Sequence, residues 1–265
     1  MKTLLFILFF ISFSAEAQDP GAFITNFDNK VYSLKNRGVN DFVVDIMSPR
    51  LTKQLNEQLI FGRLEEVIFR TYWTSNPERV AIEIIGLPDG FKEIKEELKL
   101  SILSIIDSIL PPSTQQRFAG YKFFPGKTPL EFEAKDVTGI AHVQSYVLKF
   151  DSSNKLISVE GKKAVGELAI TPVYTKEGFA DGKWVLKSLK TTQSENGQVV
   201  TVKKDLSYSS SQGIAVVSRL NVETEQAATK DGSKALNFDE SFEFKNYKIN
   251  VGEALKYFLG EGAKP

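Results

Sequence analysis

Residues 67–87 read VIFRTYWTSNPERVAIEIIGL, and residues 91–110 read FKEIKEELKLSILSIIDSIL. The first stretch alternates. Val67, Phe69, Thr71 and Trp73 fall on one side of an extended chain, because successive strand side chains point to opposite faces. After a turn at Asn76-Pro77, Val80, Ile82 and Ile84 share one face, and Ala81, Ile85 and Leu87 take the other. Strands are therefore predicted over Leu64 to Trp73 and Arg79 to Leu87. The second stretch has a helical period. At about 100° per residue, Phe91, Ile94, Leu98, Ile102, Ile105 and Ile109 form one stripe. Leu103, Ile106 and Leu110 widen it, while Ser101, Ser104, Asp107 and Ser108 take the opposite side. Asp89 is the expected N-cap, and Pro111-Pro112 stops the helix. Such a helix either faces an ordinary core or closes over an apolar cavity, and the pattern alone favours the first.

Upstream, Phe23, Phe27, Val31 and Leu34 recur at helical spacing and predict a short helix over 19–37, ended by Asn36-Arg37-Gly38. Phe42 to Ile46 predicts a strand, and Leu51, Leu55 and Leu59 a brief amphipathic helix within 49–60. Beyond about residue 120 the chain reads as strands and turns. Tyr146–Phe150 faces Leu156–Val159 across a turn, and Leu168–Tyr174 faces Trp184–Leu189. Asn196-Gly197 is a strong hairpin signal before Val199–Val202. Further strands are expected at Asp205–Tyr208, Ile214–Val222 and Phe238–Ile249. Together these predict an α+β chain, mainly β, with a curved antiparallel sheet of about ten strands.

The first residues carry a different message. Lys2, an apolar run from Leu4 to Phe13 and Ala15-Glu16-Ala17 have the layout of a cleavable secretory leader over 1–17. The run is about ten residues, short of the ~20 a bilayer needs. A single domain over 18–265 is expected to follow, long enough to bury a core without staples. No Cys occurs in the chain, so disulfides, thiolate metal sites and a lipid-modified N-terminal Cys are excluded. Thirty-three basic residues balance thirty-three acidic ones, unlike the basic footprint of a nucleic-acid binder.

Catalytic patterns are missing. The single His, His142, lies in a strand-like stretch and reads as structural or surface. No phosphate loop and no nucleophile elbow occur. Carboxylate chemistry through Glu131 and Glu133, or Asp239 and Glu240, is the enzymatic alternative. Solvated strand faces or turns explain those pairs better.

The run Val67 to Trp73, the turn Asn76-Pro77-Glu78 and the strand from Arg79 to Glu83 resemble the periplasmic lipoprotein-carrier superfamily of outer-membrane lipoprotein sorting. Lys183-Trp184-Val185-Leu186 and the closing Phe242 to Asn250 resemble it too. Asn76 stands where the carrier of that superfamily has an Arg before the turn Pro. The resemblance implies an incomplete barrel with helices covering its concave face. It also implies a non-enzymatic periplasmic protein without cofactor. Its partners would be a lipid or acylated lipoprotein, with transport proteins of the inner or outer membrane. In this light the helix at 91–110 becomes a lid. The ligand is then expected between Val67, Phe69, Trp73, Val80, Ile82 and Ile84 of the sheet and Phe91, Ile94, Leu98, Ile102, Leu103, Ile105, Ile106 and Ile109 of the helix. A sensor or scaffold that binds a protein partner is the non-enzymatic alternative.

Overall fold

A computed structural model describes residues 19–58, 62–227 and 235–260. The expected leader and Leu59 lie outside the described residues. The chain begins with α1 (Pro20–Lys30), β1 (Asp41–Met47) and α2 (Pro49–Gln58). The hairpin β2 (Ile68–Ser75) and β3 (Glu78–Ile85) comes next, then α3 (Lys92–Ile109) and the single turn α4 (Thr114–Arg117). The meander is β4 (Tyr121–Pro125), β5 (Glu131–Asp136), β6 (Val143–Phe150), β7 (Leu156–Lys163), β8 (Glu167–Lys176) and β9 (Trp184–Glu195). It continues through β10 (Gln198–Ser211), β11 (Ile214–Gln226) and β12 (Leu236–Ile249), and α5 (Glu253–Phe258) ends it.

All twelve strands form one antiparallel sheet in the order β3-β2-β1-β12-β11-β10-β9-β8-β7-β6-β5-β4. Its edges, β3 and β4, do not meet, so the barrel is incomplete. The class is α+β, mainly β, as expected. Register explains why the first strands stay together. Phe69 stands opposite Ile46 and Ile84, and Trp73 opposite Phe42 and Val80, so three alternating sequences present one continuous apolar inner face. Asn196 at φ 49° and Gly197 at φ 78° make the tight β9–β10 turn, whose twist needs both residues left-handed. The ladder shifts register at several places, among them Val43/Asp45, Lys149/Phe150, Val173/Tyr174 and Ser207/Tyr208.

Several boundaries differ from the sequence reading. Two short strands, β4 and β5, lie in the stretch read only as strands and turns without bounds, and Val199–Val202 and Asp205–Tyr208 are one continuous strand, β10. The helix predicted over 19–37 stops at Lys30, where Val31 turns extended and bridges to Trp184. A separate turn of 3-10 helix, Lys35–Arg37, ends at left-handed Gly38. Asp89 does not cap α3. It opens a 3-10 turn, and Phe91 occupies the cap position without a side-chain bond. Leu87 joins the inner core instead of the outer face. Gly86 at φ 85° breaks the alternation there, and a Cβ on it would lie 2.1 Å from the Glu66 carbonyl oxygen.

Helices cover the inner face in two groups. α3 packs with strands β1–β3 and β10–β12 in one core. Phe23, Ile24 and Phe27 of α1 pack with Phe118 and strands β5–β8 in another. Rings of Phe23, Phe27, Phe132 and Phe150 meet there at 4.8–5.8 Å, mostly edge-on, the favoured aromatic geometry. α5 lies on the outer face instead, where Tyr257 stacks on Tyr72 at 3.9 Å between centroids. No helix among the described residues is long and apolar enough to cross a membrane.

Candidate functional site

The helix α3 and the sheet face expected beneath it do meet. Val67, Phe69, Trp73, Ile82, Ile102, Ile105, Ile106 and Ile109 are buried in one cluster, and Val80, Ile84, Phe91, Ile94 and Leu98 are half-buried against it. Leu103 is the exception, 41% exposed. At about 100° per residue it falls ~120° from the line of Phe91 and Ile109, outside the arc one packed face can bury. The helix is rolled the other way, so Ser108, placed on the polar side by the sequence reading, is only 8% exposed. The stripe is thus packed as core in this conformation.

Thr71 Oγ1 and Trp73 Nε1, inside that core, have no hydrogen-bond partner among the described residues. The cause is the register. Thr71 lies between Val44 and Ile82, and neither offers a side-chain acceptor or donor. Trp73 stacks on Phe42 at 5.2 Å. Buried phenols elsewhere do find acceptors. The hydroxyls of Tyr32, Tyr208 and Tyr247 donate to the carbonyls of Ala215, Leu186 and Val217 at 2.8–2.9 Å. Burial pushes the Tyr208 and Tyr247 hydroxyls above their ordinary pKa.

The open space lies beside α3. A cleft of about 440 Å³ separates the two helical covers. Its walls include Thr25, Phe27 and Asp28 of α1, Ser104, Asp107 and Ser108 of α3, and Pro111 to Phe118 around α4. Its floor is Leu156, Val159, Ile170, Pro172, Tyr174, Leu186, Leu189, Lys204 and Leu206, from β7 to β10. None of the fourteen residues expected at the ligand lines it. The α1 wall is fixed by Asp28, whose carboxylate accepts from the backbone N–H groups of Thr114 and Gln115 at 2.8 and 3.2 Å. Ser113 and Gln116 add a capping box to the same turn. Burial raises the Tyr174 hydroxyl to about 12, partly offset by Arg117, so it stays protonated.

Lys204 is the charged residue of that floor. Its ammonium lies 3.4 Å from the Ser104 carbonyl and 3.4 Å from the Ser108 hydroxyl. Burial lowers its pKa, Asp107 pulls it back up, and Arg117 lowers it further. Sequence reasoning missed this residue by reading Lys203-Lys204 as a gap between strands. The available signal was the alternation Val202, Lys204, Leu206, Tyr208, with a Lys in an apolar series.

The carboxylate pairs do not converge. Glu131 and Glu133 are on β5, and Asp239 and Glu240 are on β12, with β6 to β11 between them. Glu133 pairs with Lys135 at 3.1 Å, and Glu240 is buried and accepts from the Ser48 hydroxyl. His142 is exposed. Comparison with protein-family models, with curated proteins and with solved structures finds no match for this chain.

Proposed function

We propose that this is a non-enzymatic binding protein of the cell envelope, holding a lipid or the acyl chains of a lipoprotein against the inner face of the sheet. The observation that carries the reading is the cleft between two separately packed helical covers, floored by Val159, Ile170, Leu186, Leu189 and Leu206. Its volume falls within the ~300–1,000 Å³ usual for small-molecule pockets. Burying about ten methylenes there at ~0.8 kcal/mol each gives ~8 kcal/mol gross, a micromolar scale before ordering costs. The unpartnered Thr71 hydroxyl and Trp73 indole N–H support a second, loaded arrangement. In it α3 moves off the sheet and water meets them. The packed stripe is then the empty state, which hides apolar surface that a soluble chain seldom exposes. Delivery to or from transport proteins of the inner or outer membrane would follow from a periplasmic location.

The test is titration with a fluorescent fatty acid. Wild type is expected to bind it. Ile170→Glu and Leu189→Glu each place a charge on the floor at half-buried positions that tolerate it, and each is expected to abolish uptake with circular dichroism unchanged. A wild type that takes up no acyl probe, or floor variants that bind as well as wild type, would defeat the reading.

A further inference from the structure

We propose that the ligand is an anionic amphiphile whose acid group, a carboxylate or a phosphate, binds Lys204 while its chain runs along the cleft floor. This rests on the acyl-binding reading above and names the ligand class. Lys204 belongs to one cross-strand row of the inner face, Val222–Lys204–Leu189–Pro172. Apolar neighbours on both sides leave the ammonium half-buried without a carboxylate in ion-pair contact among the described residues. Its two contacts are long and neutral, and an unpaired charge out of water is costly. The lowered pKa has the same cause.

The other charges around the cleft leave the place open for an anion. Asp28 is occupied by the two N–H groups of α4. Lys35 is paired with Glu78 at 2.7 Å. Asp107 is on the exposed side of α3 and forms no ion pair with Lys204. Arg117 adds a second positive charge at the same wall. Glu240 lies in the same row beyond Val222 and is held by Ser48. From Lys204 the floor continues over β9 and β8 to β7, about 14 Å at ~4.8 Å per strand, and every side chain named along it is apolar or a protonated phenol. A charged end followed by an apolar track is the complement of an amphiphile with an acid head, and a free anion would leave the track empty.

Displacement of the fluorescent probe tests this with four competitors: dodecanoate, dodecyl phosphate, dodecanol and inorganic phosphate. The two acids should compete about tenfold or more better than the alcohol, the scale of one charge-assisted hydrogen bond. Lys204→Met should remove that preference and leave dodecanol unchanged, and Lys204→Arg should keep it. Inorganic phosphate should not compete. Equal competition by acids and alcohol in the wild type, which needs no variant to fold, overturns the inference and leaves the acyl-binding reading standing. So does a Lys204→Met protein that still prefers acids. Competition by inorganic phosphate at the concentration of dodecyl phosphate makes this a free-anion site and overturns it as well. No competition by any chain defeats both.

Discussion

Replacing Thr71 with Val should make the empty protein more stable. Thr71 is fully buried on β2, its hydroxyl has no partner, and its cross-strand neighbours on either side are Val44 and Ile82. A buried hydroxyl left unpaired costs about 1–3 kcal/mol, which the folded protein carries. Valine keeps the β-branched shape and strand preference, and its methyl group meets two aliphatic neighbours, adding up to ~0.8 kcal/mol of burial. A net gain of about 1.5 kcal/mol is expected, or roughly 3–6 °C in Tm at this chain length. Urea unfolding should show a higher midpoint with an unchanged slope. Thr71→Ser is the control: it keeps the hydroxyl, loses the methyl and should cost about 1 kcal/mol. A neutral or destabilising Thr71→Val would mean the hydroxyl is paired in solution. The inference of unmet polar groups beneath α3 would then be wrong.

Other outcomes follow from single contacts. Ile102→Ala, at a residue 1% exposed under α3, should cost about 2–5 kcal/mol in urea unfolding. Gly86→Ala should cost at least ~1 kcal/mol, because the residue is left-handed and its Cβ would collide with the Glu66 carbonyl. Burial raises the pKa of the Asp45 carboxyl, but hydrogen bonds from Arg70 and Asn246 and the Arg70 charge outweigh this and hold it below its ordinary 3.8. A depressed carboxyl contributes stability above that ordinary value and loses it as pH falls through the lowered one. The wild type should therefore lose stability below about pH 4, and Asp45→Asn should flatten that limb of the curve. At neutral pH Asp45→Asn should cost about 2 kcal/mol, less than the ~3–5 kcal/mol of a fully buried pair because Arg70 is 34% exposed.

Local patterns carried the fold well. The alternation in β2 and β3, the Asn196-Gly197 turn and the stripe of α3 are decided by neighbours in sequence, and the structure places them as read apart from Leu87, Leu103 and Ser108. The misses have physical causes. β5 carries Glu131, Glu133 and Lys135 on its outer face, so its apolar residues, Phe132 and Ala134, are too few to announce a strand. Lys204 looked like a break because a charge on an inner face contradicts the usual pattern, which holds for structure and fails at sites. The cleft was illegible for another reason. Its walls come from residues of α1 and α3 about eighty positions apart, and only the packing of the sheet brings them together. The stripe of α3 pointed to an apolar partner, and the partner in this conformation is the sheet itself.

One of the register shifts in the ladder falls where the sheet passes from one helical cover to the other. The shift at Val173/Tyr174 leaves an extra residue, Lys187, on β9, which bends and twists that strand, and β9 lies between the strands under α1 and those under α3. Each cover packs on its own part of the sheet, α1 and α4 on β4–β8, α3 on β10–β3 by way of β12. Flexing at β9 would swing one half against the other like the boards of a book about its spine. The width of the gap is then set by the curvature of the sheet, and neither aromatic nor aliphatic core has to come apart for it to change.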